Sequence, residues 1–135
     1  MEKKESYATT EEYNQRVVRQ QDIPVMELIP GARNYIVSTE RITVSFVTLE
    51  PDIYVPPHRH EPEQIVIVNE GACDFMVDGK LYHLEKGDIL TIPPNVAHGN
   101  YSSSRGLQMI EVFSPPRYDF VEKLKALKKA QQRQV

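Results

Sequence analysis

Between Met26 and Phe113 the chain is a succession of short runs rich in Val, Ile, Thr, Tyr and Phe, with no helical period between them. The runs are Tyr35–Ser38, Arg41–Leu49, Gln64–Asn69, Cys73–Val77, Leu81–Leu84, Asp88–Ile92 and Leu107–Phe113. Their β-branched and aromatic side chains suit a pleated, half-buried surface. The separators hold the Gly, Pro, Asn and Asp that turns demand. Asp78-Gly79, between CDFMV and KLYHL, marks a tight hairpin, because that pair tolerates positive φ angles. Many short strands without helices between them point to an antiparallel sandwich or barrel.

The two ends have a different texture. Residues 1–22 are polar and charged, and TTEEYNQRVVRQQ reads as a short helix or an ordered arm. After Ser114-Pro115-Pro116 the apolar period changes. Phe120, Leu124 and Leu127 fall at i, i+4 and i+7, and Val121 extends the stripe, so Tyr118–Arg133 is expected to form an amphipathic helix. Its Lys123, Lys125, Lys128 and Lys129 suggest an acidic partner or membrane surface less than a solvated face near the negative helix end. The expected division is an arm (1–22), a β-barrel (23–114) and a C-terminal helix (115–135) on or beside the barrel.

Composition narrows the function classes. A length of 135 residues suits one domain, and 26% charged with 40% hydrophobic residues is an ordinary globular balance. A formal net charge of −3 provides no basic field for nucleic acid. No apolar run approaches the roughly 20 residues that span a bilayer, and MEKKESYATTEE lacks the apolar core of a secretory signal. Cys73 is the only cysteine, so no internal disulfide can form. The expectation is a cytoplasmic protein with neither nucleic acid nor membrane as partner.

Two of the four histidines fall in PPHRHEPEQ, as His58 and His60. In extended chain they share one face while Arg59 points away. Gln64 lies an even number of residues further on and returns to that face if EPE bends. Neutral imidazoles on one face can bind iron, nickel, copper or zinc, yet an HxH pair alone arises readily by chance. A second segment, GDILTIPPNVAHGN, presents His98 just after a stiff Pro-Pro-Asn turn. His83, in LYHLEKGD, reads as a surface or satisfied hairpin histidine.

The spacings His58-x-His60-x3-Gln64-x6-Gly71 and Gly87-x5-Pro93-x-Asn95-x2-His98 resemble the two motifs of the cupin superfamily, G-x5-HxH-x3-[EQ]-x6-G and G-x5-P-x-G-x2-H. Together they cover about 50 residues of the strand-rich region. Asp52 and Asn95 stand where the pattern has glycines, and Gln64 replaces the usual glutamate. The resemblance implies an all-β fold, a double-stranded β-helix (the cupin jelly-roll barrel), flanked here by the N-terminal arm and the C-terminal helix. It implies that His58, His60, Gln64 and His98 converge on one divalent transition metal, with Fe, Mn, Ni, Zn and Co all open.

Because glutamine carries no charge, this ligand set would leave the full +2 of the metal uncompensated. That favours an anionic ligand and disfavours a ferric state. HxHxxEQ, IPPNVAHG and EVFSPPRYDF together resemble the small pectin-degradation cupins, which ketonise 4,5-unsaturated uronates. The resemblance implies pocket roles for Glu111 and Phe113 on the last barrel strand. From the residues alone, Leu107, Met109, Glu111 and Phe113 share a strand face, where Glu111 is a candidate general acid/base. Glu111 in solvent with Ile110 and Val112 in the core is the competing reading. Arg117, in SPPRYDF, is a candidate for binding a substrate carboxylate, or for a helix-start salt bridge with Asp119 or Glu61. Glu63 should face outward.

The expected function is metal-dependent ring opening and ketonisation of a small acidic sugar, or related isomerase or lyase chemistry. A non-catalytic metal- or ligand-binding cupin and a metal-dependent dioxygenase are the alternatives. The partner is then a small acidic molecule. Small cupins commonly pair as homodimers through their N-terminal strands, and the arm before residue 25 is compatible with that.

Overall fold

A computed structural model describes residues 1–133 of the chain. Helix α1 (Thr10–Arg16) and a single 3-10 turn precede eight strands: β1 (Met26–Ile29), β2 (Ala32–Ser38), β3 (Thr43–Leu49), β4 (Tyr54–His58), β5 (Glu63–Val77), β6 (Lys80–Glu85), β7 (Ile89–Ile92) and β8 (His98–Ser114). Helix α2 (Tyr118–Arg133) follows β8. No helix among the described residues is long and apolar enough to cross a membrane.

Every pairing is antiparallel, and the strand order is β1-β2-β3-β8-β5-β6, with β4 added on β8 and β7 on β5. The long strands β5 and β8 organise the barrel. They pair with each other from Glu63↔Ser114 to Val77↔His98, with register shifts around Glu70 and Gly71. The first half of β5 also pairs β7, and its second half pairs β6. Likewise the first half of β8 pairs β4 and its second half pairs β3. One ladder thus serves two packed sheets, the arrangement of a jelly-roll barrel.

The corner of that ladder departs from the sequence expectation. Gln64–Asn69 and Cys73–Val77 are two halves of one strand, and Leu107–Phe113 is only the second half of β8. Gly71, at φ 76°, bends the chain without ending the strand. A Cβ there would collide with the carbonyl of Gly106, so glycine is required for the two strands to approach. The run reading also missed β1 and β4. In β4, Pro56 and Pro57 mask the strand signal, and they are tolerated because β4 is an edge strand paired only with β8.

Two apolar clusters hold the molecule. The larger lies between the sheets and includes Val66, Phe75, Leu107 and Met109. The smaller seats α2, whose Phe120 and Leu124 pack with Met26, Ile36 and Phe113. Burying each of these α2 side chains contributes about 1.5–3 kcal/mol. Lys123, Lys125, Lys128 and Lys129 remain exposed. In the arm, Thr9 caps α1: its Oγ1 accepts from the Glu12 amide at 3.1 Å, and the Glu12 carboxylate accepts from the Thr9 amide at 2.9 Å. No residue of α1 is buried.

Candidate metal centre

The first motif delivers its histidines from the end of β4. His58 closes the strand, opposite His98 at the start of β8, and His60 follows on the loop to β5. The two motifs are joined directly, since the Asn95 amide donates to the His60 carbonyl at 2.9 Å. Asn95 (φ 62°) and Asp52 (φ 59°) both adopt left-handed backbone, the conformation that makes glycine usual and Asn or Asp tolerable there.

Each imidazole is oriented in the same way. The Nδ1 of His58 lies 3.0 Å from the Pro56 carbonyl, that of His60 2.8 Å from Pro62, and that of His98 2.8 Å from Val96. A carbonyl can only accept, so each Nδ1 carries the proton and each Nε2 presents a lone pair. The rings meet closely: centroids of His58 and His60 lie 4.4 and 4.6 Å from that of His98. One nitrogen from each of the three lies within 4.8 Å of the others. The Nε2 of His98 is buried and has no hydrogen-bond partner. Burial pushes His98 down to about 4, and burial followed by the charge of Arg117 lowers His60, so both are neutral near pH 7.

Gln64 completes the cluster and is itself held. Its Nε2 donates to Glu111 Oε2 at 2.6 Å, which turns its Oε1 toward His60 Nε2, 3.0 Å away. With the His60 proton on Nδ1, these two facing atoms are both acceptors. Such a contact is repulsive unless a cation lies beside it, and about 3 Å is the separation of adjacent ligand atoms around a metal bound at about 2.1 Å. The orphaned His98 nitrogen and this acceptor pair both fit a divalent transition metal.

Beside the cluster is a cavity of about 370 Å³ lined by His58, His98, Glu111, Arg117, Phe120 and apolar side chains from both sheets. Glu111 points inward with Met109 and Phe113, not into open solvent. Burial raises its carboxyl to about 7, although Arg117 and the Gln64 hydrogen bond both oppose the rise. A cation beside Gln64 would oppose it further.

Arg117 is buried, with its guanidinium 3.8 Å from the Phe120 ring centroid. It donates from Nε and Nη2 to Asp119 at 3.0 and 2.9 Å, the helix-start pair expected as one of its two roles. It nevertheless lines the cavity, as does Lys123. Phe113 is fully buried and is not a lining residue; it stands edge-on to His60 at 5.5 Å, between that ring and Phe120. Glu63 is exposed. His83 lies away from the cluster on the β6 surface, bonded to Asp74 and Glu85.

Sequence reasoning missed two polar residues of the cavity wall, Asn34 and Asn100. Asn100 stands two residues after His98 and shares its face. The signal was present in the alternation, but it becomes readable only once β8 is known to begin at His98.

Comparison with known proteins agrees with this geometry. A family model for the cupin domain matches residues 45–113, about half of the chain. The pectin degradation protein KdgF of Dickeya dadantii is 35% identical over 66 residues, 48% of this chain and 60% of that protein. The dimethylsulfoniopropionate lyase DddW of Ruegeria pomeroyi is 28% identical over 72 residues, 53% of this chain and 47% of that protein. The chain therefore spans roughly half of the length of these curated relatives. The solved structure of KdgF from a Halomonas species superposes with a TM-score of 0.70 at 27% identity, covering 76% of this chain and 94% of that one. With both motifs, the two-sheet barrel and the histidine cluster in place, the chain belongs to the cupin family.

Proposed function

We propose that this cupin is a metal-dependent enzyme that opens and ketonises a small unsaturated uronate, or carries out closely related isomerase or lyase chemistry. The observation that carries the reading is the placement of Glu111. An inward-facing carboxyl stands in the cavity wall and is hydrogen-bonded to the same glutamine that completes the histidine cluster. General acid/base catalysis first requires a titratable group within reach of the substrate proton, and this position meets that requirement. The similarity to KdgF of Dickeya dadantii, a pectin degradation protein, supports an acidic sugar as substrate.

His58, His60, Gln64 and His98 would hold the metal, which when bound supplies Lewis-acid charge that stabilises an enolate. Their neutral donor set suits an anionic substrate and stabilises a ferric state less than a set with a carboxylate would. Glu111 moves the proton that converts the enol of the opened sugar into its ketone. Arg117 provides cationic charge for the substrate carboxylate, with Asp119 fixing the guanidinium plane. Phe113 serves the substrate indirectly, by backing the His60 ring.

The test is to incubate metal-loaded protein with 4,5-unsaturated galacturonate or guluronate and to follow loss of the ring alkene. Acceleration over buffer is expected, and Glu111→Ala should lower the rate about 10²–10⁴-fold. No acceleration excludes these substrates, while an unaffected Glu111→Ala variant removes the role given to that residue.

A further inference from the structure

A strand wetted on one side alternates apolar with polar residues, yet the sheet that carries β2, β3 and the second half of β8 is apolar on both of its faces. Register sets Tyr35, Phe46, Ile110, Ile67 and Ile89 side by side across β2, β3, β8, β5 and β7. The next row along the same strands holds Val37, Val44, Val112, Ile65 and Thr91. Both rows point outward, because their neighbours in sequence, among them Ile36, Val47, Val66 and Met109, are the buried ones. Apart from Thr91, every side chain in the two rows is aliphatic or aromatic. Neither helix covers them: α1 buries none of its residues, and α2 packs on Met26, Ile36 and Phe113 of the inward side. Ile65 and Ile89 are left 39% and 64% exposed.

We propose that this outer face seats a second copy of the chain, packed sheet against sheet about a two-fold axis. With strands about 4.8 Å apart and two-residue steps of about 6.8 Å, the two rows make an apolar strip of roughly 300–400 Å². Polar rows fence it, with Thr48 and Gln108 on one side and Glu63 and Ser114 on the other. Strip and fence together reach roughly 650 Å², an apolar core inside a polar rim. A stable interface takes about 800 Å² from each partner, and the arm, which carries the exposed Val17 and Val18 to the β1 side of the same sheet, supplies the remainder. A strip of two like rows presents the same surface after a half-turn, as an isologous contact requires. Other occupants fit less well. Small molecules need concavity, and an anionic membrane surface needs a basic rim that this fence lacks. The outer face of the second sheet is no rival, since one row there runs Tyr54, Tyr101, Asp74 and His83 and ends in a charged pair that suits water.

The experiment is light scattering and sedimentation on the full-length chain with its arm in place. The wild type is expected at about twice the 15.5 kDa chain mass. Ile65→Lys, in the middle of the strip, should weaken self-association at least about a hundredfold, because each dimer would bury two unpaired charges. The variant itself should fold, since at this exposure a lysine head reaches water in the separated chain, and circular dichroism with cooperative unfolding checks this. Tyr101→Lys, on the other sheet, should leave the dimer intact. If Ile65→Lys does not fold, Ile89→Lys on the more exposed end of the strip carries the same reading. A monomeric wild type, or a folded strip variant that still dimerises, overturns the proposal. So does a Tyr101→Lys variant that separates the copies, since the contact would then lie on the second sheet.

Discussion

Gln64 answers to two neighbours at once, and its chemistry follows from that. The amide must direct its N–H to Glu111 and its oxygen toward His60, an orientation only a neutral amide can satisfy. Replacing it by Glu would set a second carboxylate against the Glu111 oxygen now 2.6 Å from the Gln64 nitrogen. Two buried carboxylates at that range cannot both ionise. In metal-free protein at pH 7, Gln64→Glu should therefore lower folding stability by about 1–3 kcal/mol, the cost of holding one proton between the two carboxyls well above their ordinary pKa. Added divalent metal should recover more stability in the variant than in the wild type, since a cation offsets the new charge. Thermal unfolding with EDTA and with added Mn²⁺ measures both effects. Equal Tm values for the two metal-free proteins would show that the Glu111 bond does not hold the glutamine in place.

The β5–β6 hairpin has a device of its own. Asp78 (φ 51°) and Gly79 (φ 78°) form the turn, and His83 faces Asp74 directly across the ladder. His83 Nδ1 and Nε2 lie 2.8 Å from Asp74 and Glu85 respectively, and bonding to those carboxylates, Glu85 first, raises the imidazole above its ordinary value. A group whose folded pKa is raised contributes stability fully present below its unfolded pKa of about 6.5 and lost as pH climbs through the folded value. Wild type should thus exceed His83→Gln in Tm at about pH 5.5, and the gap should close by about pH 9. The gap should also shrink in high salt, because these side chains are largely exposed. A gap independent of pH would mean that the pairing does not depend on the charge of His83. The same elements show what the chain disclosed in advance. The hairpin, the α2 stripe and the two histidine motifs were readable because each depends on a short spacing that local geometry sets. The continuity of β5 was not, since Gly71 bends a strand with the same residue that would end one. Nor could Arg117 be assigned between its two partners. Glu61 and Asp119 are both near in sequence or motif, and only the folded start of α2 brings Asp119 into bidentate reach.

At the scale of the whole molecule, the arm is the part that the barrel does not explain. Helix α1 buries nothing, and Val17 and Val18 are 42% and 58% exposed. Beyond the 3-10 turn that follows them, β1 pairs among the described residues only with β2 and leaves an edge open. Natural sheets seldom leave such an edge uncovered. The exposed valines and the free edge together suit an exchange in which the arm of one copy lies along β1 of a second. We expect a symmetric homodimer of about twice the 15.5 kDa chain mass by light scattering. Removing residues 1–22 should then release monomers whose barrel still unfolds cooperatively, because the arm adds nothing to either apolar cluster beyond residue 22. Full-length protein that runs as a monomer, with an arm cut rapidly by protease, would rule the exchange out. A dimer that survives the deletion would place the contact on another face, where Tyr54 and Tyr101, stacked at 4.8 Å and each more than two-fifths exposed, offer the next apolar surface.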